Sequence, residues 1–233
     1  MPTTLGDVVS PDRPIDAIAA LQDPLRRQLY EFVAAQGREV SRNEAAASVR
    51  IQRTLAAFHL DKLVEAGLLE VSYRRLNDRE GPGAGRPAKL YRRARAEHSF
   101  SLPPRSYALA AGFLAEVVER VGADRPLQST ARDAGRAIGR AATGQSLTEV
   151  LRAQGYEPYE EGGQLRLRNC PFHQLAERFP PLVCGMNLAL CQGLLEEFEG
   201  PEGRGASAWA PELGTEARRG ECCVVFLSKN KKY

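Results

Sequence analysis

Residues 41–75 read SRNEAAASVRIQRTLAAFHLDKLVEAGLLEVSYRR, and this stretch decides the fold. Ser41 is followed three residues later by Glu44, the spacing of a capping box, so a helix starts there. Ala45, Ala46 and Ala47 keep that helix slim, which lets another helix lie close against it. After a short break a second helix is expected from about Gln52 to Ala66, halted by Gly67. Its inner face is assigned Leu55, Ala56, Leu60 and Leu63, and its outer face Arg53, Thr54, Ala57, Phe58 and Asp61. Residues 68–75 then read as a strand.

Upstream, Asp23-Pro24 sets an N-cap and a first helical position. Leu25, Leu29, Phe32 and Val33 follow at helical spacing, and Gly37 ends the helix. Residues 1–13 carry two prolines and no periodicity, and are expected to be a loose tail. They contain no apolar run of signal-peptide type. No stretch of the chain approaches the roughly 20 apolar residues that cross a bilayer. A cytoplasmic protein without membrane contact is expected.

Downstream, residues 76–88 form a turn-rich loop around Gly81-Pro82-Gly83-Ala84-Gly85-Arg86-Pro87, and residues 89–93 resume as a strand. The loop glycines are not a P-loop, because no Gly-Lys-Ser/Thr ending follows them. Net charge over the 233 residues is only +3, so its distribution matters more than its total. Between Val71 and Arg95 stand eight Lys/Arg and two acids, a local excess that suits a polyanion, although a solvated basic loop would look the same. Two strands joined by a basic loop after paired helices make a wing.

The chain from 21 to 93 resembles the winged helix-turn-helix of the ArsR superfamily, carried by LQDPLRRQLYEFV, SRNEAAASV, RTLAAFHLDKLVEAGLLE and the basic wing. The resemblance implies a helix reading a DNA major groove. Gln52, Arg53 and Thr54 stand at the end that approaches bases, with Ala57 and Phe58 on the outer face. Arg53 is assigned to guanine, and Phe58 to a thymine methyl, a buried position or a dimer contact. Lys62 is assigned to phosphate and His59 to helix packing. In the wing, Arg74, Arg75, Arg79, Arg86 and Lys89 are assigned to backbone or minor groove.

Beyond Pro103-Pro104, residues 107–121 form a helix with a broad apolar face, the candidate dimer interface, unless that face packs on the C-terminal part. A more polar helix covers 126–142, with Arg132, Arg136 and Arg140 at intervals of four, and a short one covers 146–154. A hairpin turns at Gly162-Gly163. A helix is expected over about 182–198, then a Gly/Pro-rich connection, then a final strand over 222–227. Together these give an α+β chain: a tail (1–13), a winged helix-turn-helix domain (14–100), a helical linker or dimerisation segment (101–145) and a small α+β sensor domain (146–233).

All five cysteines lie in the last third: Cys170, Cys184, Cys191, Cys222 and Cys223. In a reducing compartment, clustered cysteines are more often metal ligands or redox sensors than disulfides. Thirteen residues separate Cys170 from Cys184, and 37 more precede Cys222, so this is no zinc ribbon with paired CxxC knuckles. The motifs NCPFH and LVCGMN, with ECCVVF, are similar to the SufR-type regulators. That resemblance implies a homodimeric repressor with an iron–sulfur cluster, of 4Fe-4S type, on a palindromic double-stranded operator. It carries Cys170, Cys184 and one of Cys222 and Cys223 as ligands; on a strand the last two would point to opposite faces. His173 is a candidate fourth ligand. Cys191, about 10.5 Å of axial rise beyond Cys184, is assigned to packing. A mixed Cys/His set would also suit zinc. Thiol oxidation and a small organic effector are alternative signals. A cysteine nucleophile at Cys170 beside His173 is a remote alternative with no orienting acid, and no enzyme is expected.

Overall fold

The computed structural model describes residues 13–75, 87–200, 203–204, 209–214 and 220–229. The chain is mixed α+β and divides into two compact units, Met1–Arg105 and Ser106–Tyr233. Among the described residues, no helix is long and apolar enough to cross a membrane.

The first unit begins with α1 (Arg13–Ala20), a short helix in the stretch between the expected tail and Asp23 to which the sequence reading assigned no element. Helix α2 (Pro24–Gln36) starts as expected: the Asp23 side chain accepts from the Arg26 N–H, Pro24 opens the helix, and Gly37 closes it at φ 62°. Strand β1 (Val40–Ser41) leads into α3 (Arg42–Ser48), where both hydrogen bonds of the Ser41–Glu44 capping box form. Helix α4 (Arg53–Glu65) follows, then β2 (Leu69–Arg74) and β3 (Ala88–Arg93). The three strands form an antiparallel sheet in the order β1-β3-β2, with Val71 opposite Tyr91. Leu29, Val33, Val40, Ala45, Leu60, Leu63, Leu69 and Tyr91 make one core. The inner face of α4 is Ala56, His59, Leu60 and Leu63. Leu55, expected inside, is exposed, and His59 takes the position one turn further on.

The second unit begins with α5 (Tyr107–Arg120) and α6 (Asp124–Ala141), followed by α7 (Leu147–Ala153), whose Ser146 and Glu149 form another capping box. Strands β4 (Pro158–Glu161) and β5 (Gln164–Leu167) make the expected hairpin. Gly162 and Gly163 both have positive φ, as a two-residue turn of matching twist requires. Then come α8 (His173–Arg178), α9 (Pro180–Glu197) and the short pair β6 (Glu199–Gly200) and β7 (Gly203–Arg204). Strands β8 (Trp209–Leu213) and β9 (Val224–Ser228) complete an antiparallel sheet in the order β4-β5-β9-β8. The connection before the last strand therefore holds an edge strand of its own. Pro211 is tolerated there because an edge leaves one row of backbone groups unpaired. The final strand begins at Val224, so Cys222 and Cys223 are not strand residues, and alternation along a strand does not govern them.

Helices α6 and α9 lie against each other through glycines. A Cβ on Gly135 or Gly139 would collide with the α9 backbone at Leu190 and Leu194, and one on Gly193 with the Arg132 carbonyl. The α6 arginines seen in the sequence flank this seam. Arg132 and Arg136 reach Glu196 at 3.2 and 2.7 Å, and Arg132 also hydrogen-bonds Gln192.

Candidate functional site: an exposed helix and a thiol cluster

In the first unit, Gln52 stands at the N-cap position of α4 without a side-chain cap bond, and Gln52, Arg53 and Thr54 are all exposed at its N-terminal end. Ala57 is half-buried beside them. Phe58 is 57% exposed, which removes the buried reading of this ring. An apolar ring standing that far into water is available for contact. Lys62 pairs with Glu65 at 2.6 Å further along the helix.

The sheet is fastened to the same helix. Lys89 pairs with Asp61 at 2.6 Å, and the Tyr91 hydroxyl donates to the same carboxylate at 2.9 Å. Burial first, then the Asp61 carboxylate, holds the Tyr91 phenol protonated. Lys89 is thus committed within the chain. Arg74 is exposed with Glu39 at 3.4 Å, and Arg75 is exposed. Arg79 and Arg86 lie outside the described residues.

In the second unit the cysteines converge from three places. Cys170 sits in the turn after β5, where its carbonyl accepts the His173 N–H at 3.1 Å. Cys184 lies on α9, and Asn187 and Cys191 follow at i+3 and i+7 on the same face. Cys222 and Cys223 lie just before β9. Their backbone is pinned from both sides: the Cys222 N–H donates to Leu167 at 2.9 Å, and the Cys223 carbonyl accepts from Gly214 at 2.8 Å.

The thiols meet in a chain of hydrogen-bond contacts, Cys170 to Cys222, Cys222 to Cys223, and Cys223 to Cys184. Both members of the adjacent pair face this cluster, where the sequence reading had one turned away. All five cysteines are free thiols. Proton affinity is divided unevenly along the chain. Cys222 is pushed up because it donates to Cys170 and Cys223, and Cys170 is lowered by the same contact. Cys223 falls to about 6, first through Cys222, with Cys184 and Asn187 adding to the effect. Burial lifts Cys184 to about 12. No family model, no curated protein and no solved structure matches this chain.

His173 opens α8 on the surface, with its Nε2 3.3 Å from the Glu177 carboxylate. Cys191 is buried, with its sulfur 4.0 Å from the Tyr156 hydroxyl and 3.9 Å from Asn187 Oδ1. Sequence reasoning missed Asn187 altogether. Its only sequence signal is its position, one helical turn from Cys184 and another from Cys191.

The sulfurs touch pairwise along this chain. Among the described residues, no three His, Cys, Asp or Glu side chains stand as ligands around a single ion. As a donor set, however, four soft sulfurs, with Cys170, Cys222 and Cys223 at an apolar core and Cys184 half-buried, fit iron–sulfur ligation. Their neighbours in that core include Leu167, Leu194, Val224 and Phe226.

Proposed function

We propose that this chain is a DNA-binding transcription repressor of the winged helix-turn-helix kind. It works as a homodimer on a palindromic operator, and its affinity is set by an iron–sulfur cluster, of 4Fe-4S type, on the C-terminal cysteines. The observation that carries the reading is the convergence of four thiols in a unit separate from an exposed, base-sized helix end. A protein built only to bind DNA has no need of such a cluster of thiols.

The DNA-binding half is supported by the exposed Gln52, Arg53, Thr54 and Phe58 at one end of α4 and by the basic strand pair beside it. Arg53 is the guanine reader in this assignment, and Arg74 and Arg75 meet phosphates. The dimer is supported by α5. Tyr107, Leu109, Phe113, Leu114, Val117 and Val121 are all exposed, while Gly112, Ala115 and Val118 face inward. A twofold operator needs a second copy of the chain, and this stripe is its seat.

For the sensor, Cys170, Cys184, Cys222 and Cys223 hold the cluster. Bound iron supplies electron transfer and a charge that changes with oxidation state. His173, engaged with Glu177, is not needed as a ligand.

The test is protein purified without oxygen and analysed for absorption, iron, acid-labile sulfide and zinc. A broad band at the violet edge with stoichiometric iron and sulfide is expected, and Cys170→Ser should abolish it while the circular dichroism spectrum is retained. A colourless protein that resists reconstitution overturns the cluster. Stoichiometric zinc instead would assign the thiols to that metal.

A further inference from the structure

Asn187 has no exposed surface, and a buried amide must find partners for both of its ends. Its Oδ1 accepts the Tyr156 hydroxyl at 2.5 Å, and its Nδ2 lies 3.1 Å from Cys222 Sγ. The same side chain also hydrogen-bonds Cys223. Tyr156 is buried as well, and burial, with the neighbouring Cys191 and Cys222, holds its phenol protonated. The hydroxyl therefore stays a donor and occupies the oxygen end of the amide. The nitrogen end, with its two N–H groups, faces the two adjacent sulfurs. The opposite orientation would aim lone pairs at sulfur and repel a thiolate.

We propose that Asn187, oriented by Tyr156, is the positioning residue that turns both Cys222 and Cys223 into the thiol cluster and presents its N–H donors to their sulfurs. Backbone hydrogen bonds fix where these two cysteines stand, and the amide fixes where their sulfurs point. A packing thiol needs no such donors; a metal-bound thiolate is stabilised by them. With a cluster present, donors at ligand sulfur favour the reduced, more negative state and raise the reduction potential. That redox consequence rests on the cluster reading, whereas the placement of the two sulfurs does not.

Two variants test it. Asn187→Asp keeps the shape and replaces the donors with a carboxylate. Tyr156→Phe keeps the ring and its packing and releases the amide. On metal-free protein, the alkylation rate of each cysteine by N-ethylmaleimide is followed by peptide mass spectrometry. In both variants the alkylation rate at Cys222 or Cys223 should change about tenfold or more, while buried Cys191 stays slow. Unchanged rates at both positions in Tyr156→Phe overturn the proposal. If Cys191 also becomes fast in Asn187→Asp, that variant has opened globally and Tyr156→Phe decides. On protein reconstituted with iron and sulfide, Tyr156→Phe should weaken reduction about tenfold, ~59 mV for one electron. An unchanged potential overturns the tuning role. If the wild type takes up no iron, the cluster reading falls, and the alkylation rates still decide the placement.

Discussion

Ser41 and Glu44 show how far one pair of side chains can govern local structure. The Ser41 hydroxyl accepts the Glu44 N–H at 3.2 Å, and the Glu44 carboxylate accepts the Ser41 N–H at 2.8 Å. Ser41→Ala should cost about 1 kcal/mol, read as a lower denaturant midpoint at an unchanged slope. The pH dependence has a definite sign. The Ser41 backbone N–H, followed by Arg38, lowers the Glu44 carboxyl below its ordinary value. Its contribution is therefore complete above the unfolded carboxyl value and is lost as pH falls through the depressed folded value. The stability gap between wild type and Glu44→Gln should be widest near neutrality and close as the solution is acidified below about pH 4. A gap that stays constant on acidification would contradict this account. Caps of this kind were legible in the sequence because they act over three or four residues. The Asp23 cap and the Gly37 stop were legible for the same reason. Leu55 and Asn187 were not. Whether a side chain is inside depends on which neighbour covers it, and neither cover is local.

Among elements, long and strongly patterned ones were readable, including α2, α4, α5 and the β4–β5 hairpin. Helices α1 and α8 were missed because eight and six residues hold too few turns for a periodic pattern to register. Strand β8 hid in a connection rich in glycine and proline, and its Pro211 reads against a strand until its edge position is known. Misplacing Cys222 and Cys223 on the last strand had a chemical consequence, since it turned one sulfur away from the site. The α6–α9 seam was also invisible in the sequence: three scattered glycines mean nothing until two backbones are seen to touch. Gly193→Ala should destabilise the second unit by about 1–3 kcal/mol or more, because the obstacle is the Arg132 carbonyl and not a movable side chain. Thermal unfolding monitored by circular dichroism would show it, and an unchanged midpoint would mean the helices can separate freely.

For the whole molecule, the apolar stripe of α5 is the feature with the largest consequence. Phe113 is 60% and Leu114 68% exposed on a helix whose opposite side is already packed on Phe179, Leu182 and Val183. Phe113→Glu places a charge in the middle of the stripe without touching that inner packing. Light scattering should report a dimer for the wild type and a monomer for the variant, with its circular dichroism spectrum kept and operator affinity reduced. A wild-type monomer would remove the stripe as the twofold contact.

The glycine seam also decides which parts of the thiol cluster are able to move. Helix α9 is bedded on α6 with backbone against backbone, so Cys184 stands in a rigid frame. Cys170 hangs from a turn, and Cys222 and Cys223 hang from the approach to a strand, each held by a few hydrogen bonds. The site is a vice with one helical jaw, and that jaw is the one whose backbone is bedded directly on another helix.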